Sequence, residues 1–232
     1  MEKFDLKVVT KIGAYTTLTG SLCMVAGAVL MTISGADLDL ALEMNEISNY
    51  LVTANQGRFL LITNLCVWIV GVIVLGAAAT SIPKLPTKRP EISLLIRYCY
   101  SLAIPIVVIA YSAWLAVVVK LAPQTNPNTI LVAETVGWFA SRADWIATIL
   151  VLAIGPVLIS VAGRNEWVPN WLRVWSYLAL FTGLLNAVAM FAGGLTTYGF
   201  LIIPVGMGWM FATSVVLFKR LKTIDKLENQ AN

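Results

Sequence analysis

The chain has 232 residues, 59% of them hydrophobic and 12% charged, with a formal net charge of +4 and a mean hydropathy of +0.82. Soluble globular domains carry roughly 25% charged residues, so this composition excludes an ordinary water-soluble fold. Histidine is absent, which removes the usual ligands for haem, copper and catalytic zinc and the commonest general base near neutral pH.

In chain order, Lys3, Lys7 and Lys11 precede a first apolar run over residues 12–34. Ser34-Gly35-Ala36 has the small residues of a cleavage site, but the run outlasts a secretory core of about 7 to 15 residues, so a retained helix is expected. From Asp37 to Asn55, Leu40, Met44, Ile47 and Leu51 recur at helical spacing while Asp39, Glu43, Glu46 and Asn49 fall on other faces. This predicts an outer amphipathic helix that lies flat on the leaflet or caps the bundle.

The second apolar run covers residues 59–82. The turn after it holds Pro83, Pro86 and Pro90. The third run, 93–121, exceeds the roughly 20 residues needed to cross a bilayer, and Pro105 inside it removes a backbone donor, so a kink is expected there. Residues 126–142 read as a second outer amphipathic segment with Asn126 as cap and Pro127 in the first turn. Spans at 145–162, 172–192 and 198–218 complete the set. The fourth is the shortest, and no predicted span carries Asp, Glu, Lys or Arg near its middle, so no internal proton relay is expected.

Charge sets the topology. Of the 16 Lys and Arg, only Arg58, Lys120 and Arg142 fall in the odd-numbered loops, which predicts that both termini and the even-numbered loops face the cytoplasm. The acidic residues split evenly between the sides and contribute little. Trp167, Trp171, Trp175 and Tyr177 on the inner side, and Tyr50, Trp138, Trp145 and Tyr198 on the outer, fit aromatic belts at headgroup level. The fold class is therefore all-α: a polytopic membrane helix bundle with six transmembrane helices and two outer amphipathic segments, forming a single domain over 1–232.

Gly13, Gly20 and Gly27 in the first span, Gly71 and Gly76 in the second, and Gly193-Gly194 after the fifth are expected to permit close backbone approach. Cys23, Cys66 and Cys99 lie on three different helices without CxxC spacing, so buried apolar packing is expected for them and no cofactor or metal site follows.

Neutral polar groups remain inside. Asn64, Asn186 with Thr182, Tyr111, Ser112 and Trp114 all belong to the outer halves of their helices, with Arg58, Lys120, Glu134, Arg142 and Asp144 at the rim. Were these faces to converge, Asn64, Tyr111, Trp114, Asn186, Arg58 and Arg142 would form an outward-facing ligand pocket. The competing reading has the two asparagines hydrogen-bonding between helices, and the two arginines pairing with Glu46 and Asp144.

Lys11-Ile12-Gly13 opening the first span, Asn55-Gln56-Gly57-Arg58 before the second, and Val168-Pro169-Asn170-Trp171-Leu172 leading into Thr182-Gly183-Leu184-Leu185-Asn186 carry a resemblance. The whole chain resembles the bacterial six-helix integral membrane proteins grouped as domains of unknown function. Such proteins often have a basic residue after the proline, where this chain has Asn170. The resemblance implies a multi-pass protein of the bacterial inner membrane and brings no activity with it. The expected function is non-enzymatic: binding of a small molecule or lipid in the outward-facing pocket for transport or sensing. The alternative is a structural or accessory subunit. Expected partners are membrane lipids, a small-molecule ligand, and a membrane protein or a second copy of the chain; nucleic acid is not expected.

Overall fold

The computed structural model describes residues 3–124, 126–192 and 194–231. It is an all-α bundle: α1 (Lys3–Ser34), α2 (Leu38–Glu43), α3 (Ile47–Gln56), α4 (Arg58–Ser81), α5 (Pro90–Ala116), α6 (Pro127–Ile149), α7 (Gly155–Ala162), α8 (Asn170–Ala189), α9 (Thr196–Gly199) and α10 (Ile202–Ala231). Six helical stretches are long and apolar enough to cross a membrane: Leu6–Ser34, Arg58–Lys84, Pro90–Leu121, Pro127–Ala162, Asn170–Ala189 and Thr196–Leu227. The chain is a multi-pass membrane protein.

Two of the expected boundaries change. The segment 126–142 is not a separate interfacial helix, because α6 runs without a break from its Asn126 cap, whose side chain accepts from Thr129 N–H at 3.0 Å, into the fourth span. What looked like the shortest span is the longest. Conversely, the single amphipathic helix expected from Asp37 to Asn55 is two helices. Asp37 caps the first by accepting from Leu40 N–H. Asn45, at φ 57°, then ends it in a Schellman turn, with Glu46 N–H reaching back to the Ala41 carbonyl at 2.8 Å. Because of that break α3 turns inward and buries Ile47, Tyr50, Leu51 and Ala54, while Leu40 and Met44 stay exposed. The pair caps the bundle rather than lying flat.

The α-helix of the third span runs on through Pro105. Its departure from α geometry comes later, in a π turn at Val117–Leu121, and a second π turn at Leu150–Ile154 joins α6 to α7. The second leaves one carbonyl over. Pro156 has no N–H to give the Val151 carbonyl five residues back, and the Tyr100 hydroxyl donates to it instead, at 3.4 Å.

Close helix contact depends on missing side chains. A Cβ on Gly27 would sit 2.3 Å from the Trp68 indole, and one on Gly183 would sit 2.3 Å from Ala153 Cβ, so α1 meets α4, and α8 meets the second π turn, at backbone distance. Gly194 does something else: at φ 81° it has open space around it and serves a turn. Gly193 lies outside the described residues. Cys99 is buried, but Cys66 is exposed on the bundle flank. The aromatic belts are also thinner than expected, since Tyr50 and Trp145 are buried and Trp175 turns inward to donate to the Val205 carbonyl.

The two ends of the bundle are built from alternate loops. At one end Lys7 pairs with Asp225 at 2.7 Å, Lys88 stands 3.9 Å from Glu166, and the Thr87 hydroxyl donates to the Ala162 carbonyl at 2.7 Å. Both chain ends therefore lie together. At the other end Arg58 donates to the Val119 carbonyl at 2.8 Å, and Glu43 accepts from Gly194 N–H.

Candidate functional site

Between α1, α4, α5, α6 and α10, on the side capped by α2, lies a cavity of about 440 Å³. Its depth follows from helix geometry. Trp68 is ten residues into α4 from Arg58, which corresponds to about 15 Å along the axis. Trp68 stacks on Tyr111, with ring centroids 5.1 Å apart and planes at 29°, and meets Trp114 edge-on at 6.1 Å. Such pairs contribute about 0.5–1.5 kcal/mol beyond their area. The arrangement is locked from outside. Trp68 donates its indole N–H to the Met24 carbonyl at 2.9 Å, and Trp114 donates to the Tyr50 oxygen on α3 at 2.7 Å. Burial pushes the Tyr50 phenol above its ordinary value, the Asp37 and Asp39 charges add to that, and the Trp114 bond opposes it.

Two carboxylates line the same cavity: Asp39 from α2 and Asp144 from α6. On α6 the polar groups Ser141, Asp144, Trp145 and Thr148 fall at i, i+3, i+4 and i+7, a single stripe facing inward. Ser141 donates to Asp39 Oδ1, and Arg142 Nη1 donates in turn to Ser141 Oγ at 3.1 Å. Arg142 is held in place by its neighbours, lying 5.7 Å and 5.5 Å above the Trp138 and Trp145 rings. Burial raises the Asp39 carboxyl above its usual 3.8, with the Asp37 charge adding to this, against the lowering effect of Ser141, Trp145 and Arg142. Among the described residues no such cation acts on Asp144. The Tyr111 and Thr148 side chains engage its carboxyl group, yet Oδ1 is enclosed and has no hydrogen-bond partner.

α2 also holds the far rim. Glu43 is kept below its usual 4.5 by the Thr196 side chain and then by Gly194 N–H, so the short helix is tied to the turn between α8 and α9.

Of the six residues singled out from sequence, the structure brings Tyr111 and Trp114 to the cavity wall. Asn64 donates to the Gly27 carbonyl at 2.7 Å and Asn186 to the Gly199 carbonyl at 3.2 Å. Both amides join helices, and they do so in different parts of the bundle. Arg58 binds the Val119 carbonyl rather than Glu46. Arg142 stands behind Asp39 rather than in the cavity. Thr182 donates to the Ala179 carbonyl at 2.9 Å and Ser112 to that of Val108 at 2.7 Å, while Lys120 and Glu134 are exposed.

Asp39, Asp144 and Trp68 are the residues that sequence reasoning missed as cavity groups. The polar stripe on α6 was the available signal; it was hidden by placing the start of the fourth span at 145, which put Asp144 at the rim. With α6 and α7 continuous over Pro127–Ala162, Asp144 stands near the middle of the helix. No known family, curated protein or solved structure matches the chain.

Proposed function

We propose that this is a non-enzymatic membrane protein that binds a small molecule or lipid in the cavity beneath α2, for transport or sensing, with that end of the bundle facing outward from a bacterial inner membrane. The observation that carries the reading is the pairing of a preformed cavity, of a volume within the roughly 300–1,000 Å³ usual for small-ligand sites, with two enclosed carboxyl groups, Asp144 near the middle of a span and Asp39 on the capping helix. Ionisable groups at such positions are costly and mark ligand or ion pathways. The orientation is supported by the basic residues, which gather with the chain ends at the opposite end.

Access supports the same reading. Val25, Val29 and Ile33 of α1 and Ile203 of α10 frame the cavity and are themselves exposed on the flank of the bundle, so an apolar molecule would enter sideways from the lipid. A role as an accessory subunit docking a partner through α2 and α3 draws less support. Most of their apolar residues are already buried beneath them.

The test is extraction of small molecules from protein purified in mild detergent, with mass spectrometry of the extract. A species retained by the wild type and lost on Trp114→Ala, with thermal stability monitored alongside, is the expected result. Equal retention by both proteins would remove the cavity as the binding site.

A further inference from the structure

The residues lining the cavity include two carboxylates and, among the described residues, no lysine or arginine. Arg142 approaches only from behind Asp39, through Ser141, and it also interacts with Glu43. The lining itself therefore carries two carboxyl groups and no cation, while Arg58 at the same end is taken up by the Val119 carbonyl. An ionised carboxylate is an acceptor only. Tyr111 and Thr148 reach the Asp144 carboxyl group, yet its Oδ1 has no hydrogen-bond partner.

The same lining holds Trp68, Tyr111 and Trp114, with Tyr111 beside the Asp144 carboxyl. Aromatic faces carry negative quadrupole density and attract cations within about 6 Å of the ring centre, more strongly once water is excluded. The rest of the wall is largely apolar, with Val29, Leu152, Phe200 and Met207, which disfavours a small hydrated metal ion and accepts a hydrocarbon body.

Building on the binding function proposed above, we infer that the ligand is a lipophilic organic cation, an ammonium or phosphonium centre with an apolar body. Its charge lies against Asp144, with Asp39 as the second carboxylate, and its body packs on Trp68, Tyr111 and Trp114. It reaches the cavity laterally between α1 and α10.

Tetraphenylphosphonium and tetraphenylborate have nearly the same shape and opposite charge, which makes them a direct probe. Binding of each to the full-length protein in nanodiscs of zwitterionic lipid is measured by equilibrium dialysis, with empty nanodiscs subtracted. The phosphonium is expected to bind at least tenfold tighter than the borate. Asp144→Asn should weaken phosphonium binding at least tenfold, Asp39→Asn by less, and Arg97→Gln at the opposite end not at all.

Borate binding as tight as phosphonium would overturn the cation assignment and leave the cavity itself as a binding site. Unchanged phosphonium affinity in both aspartate variants would overturn the assignment of the carboxylates. No binding of either probe above empty nanodiscs would overturn both the cation assignment and the cavity reading. The wild-type charge preference needs no variant, so a failure of Asp144→Asn to fold does not rescue or spoil the result.

Discussion

Asn64 and Asn186 are buried polar groups that each donate to a backbone carbonyl of another helix, whereas Asp39 and Asp144 are buried polar groups that line a cavity. The difference lies in what each side chain can offer. A membrane bundle presents carbonyl oxygens with a spare lone pair but almost no free N–H. An amide brings donors and finds partners readily. A carboxylate brings only acceptors and depends on side-chain donors, Ser141 for Asp39 and Tyr111 and Thr148 for Asp144. Asp144 keeps Oδ1 without a partner, as the two amides keep theirs, while the Nε donors of Arg58, Arg142 and Arg220 are also left over. In this bundle the amides serve as glue, and the carboxylates are left with capacity for something external.

The contrast can be broken most forcibly where the glue and the cavity wall meet. Gly27→Val would drive a side chain into the Trp68 ring, which a Cβ would approach to 2.3 Å. Overpacking of this kind costs about 1–3 kcal/mol. A lowered unfolding midpoint and a loss of phosphonium binding are both expected, and a wild-type midpoint would mean that α1 and α4 pack more loosely than described.

Asn64→Leu and Asn186→Leu sharpen the comparison from the other side. Each should lower stability by about 0.6 kcal/mol, up to about 1.7, and leave phosphonium affinity within roughly twofold, given that neither side chain lines the cavity. Loss of binding without loss of stability in either variant would reverse the division between glue and site.

Asp39 and Glu43 share one short helix yet are shifted in opposite directions, which pH can separate. Burial holds the Asp39 carboxyl above 3.8, so the folded chain binds its proton more tightly than the unfolded chain does. That contribution is complete below about 3.8 and is lost as pH rises through the raised value. Asp39→Asn should therefore gain stability relative to wild type as pH rises across this window. Glu43, held below 4.5, stabilises above that value and loses its contribution as pH falls. Glu43→Gln should lower the midpoint at pH 7 and converge on wild type in acid. Parallel pH profiles for wild type and both variants would rule out this account of α2.

The smallest effect is expected at the far end, where Lys7 and Asp225 are 38% and 45% exposed in their side chains. Lys7→Gln should shift stability by no more than about 0.2–1 kcal/mol and less in high salt. A larger, salt-insensitive loss would show that the chain ends are clamped more firmly than exposed charges allow.

The six crossings were legible because hydropathy and the placement of Lys and Arg report directly on the solvent around each residue. The extent of α6 was not. Glu134, Arg142 and Asp144 interrupt the apolar run, and nothing local says that Ser141, Tyr111 and the two tryptophans will satisfy or shield the last two. Tyr111 and Trp114 were legible as polar-tipped aromatics in the outer half of the third span. The roles of Asn64 and Asn186 were not, because a buried amide reads the same in sequence whether it faces a ligand or the carbonyl of Gly27, 37 residues away. The split at Asn45 escaped notice too, since helical periodicity runs straight across a residue that can adopt a left-handed backbone.

The wide turn at Leu150–Ile154 inserts the equivalent of one surplus residue into an otherwise regular rod, and each residue of an α-helix advances the angular phase by about 100°. Straightening this turn into regular α-helix with every residue kept would rotate Asp144 and its companions by that amount relative to α7, whereas excising the surplus residue would leave their facing unchanged. The irregularity thus acts as a phase corrector that lets one continuous helix address two different sets of neighbours.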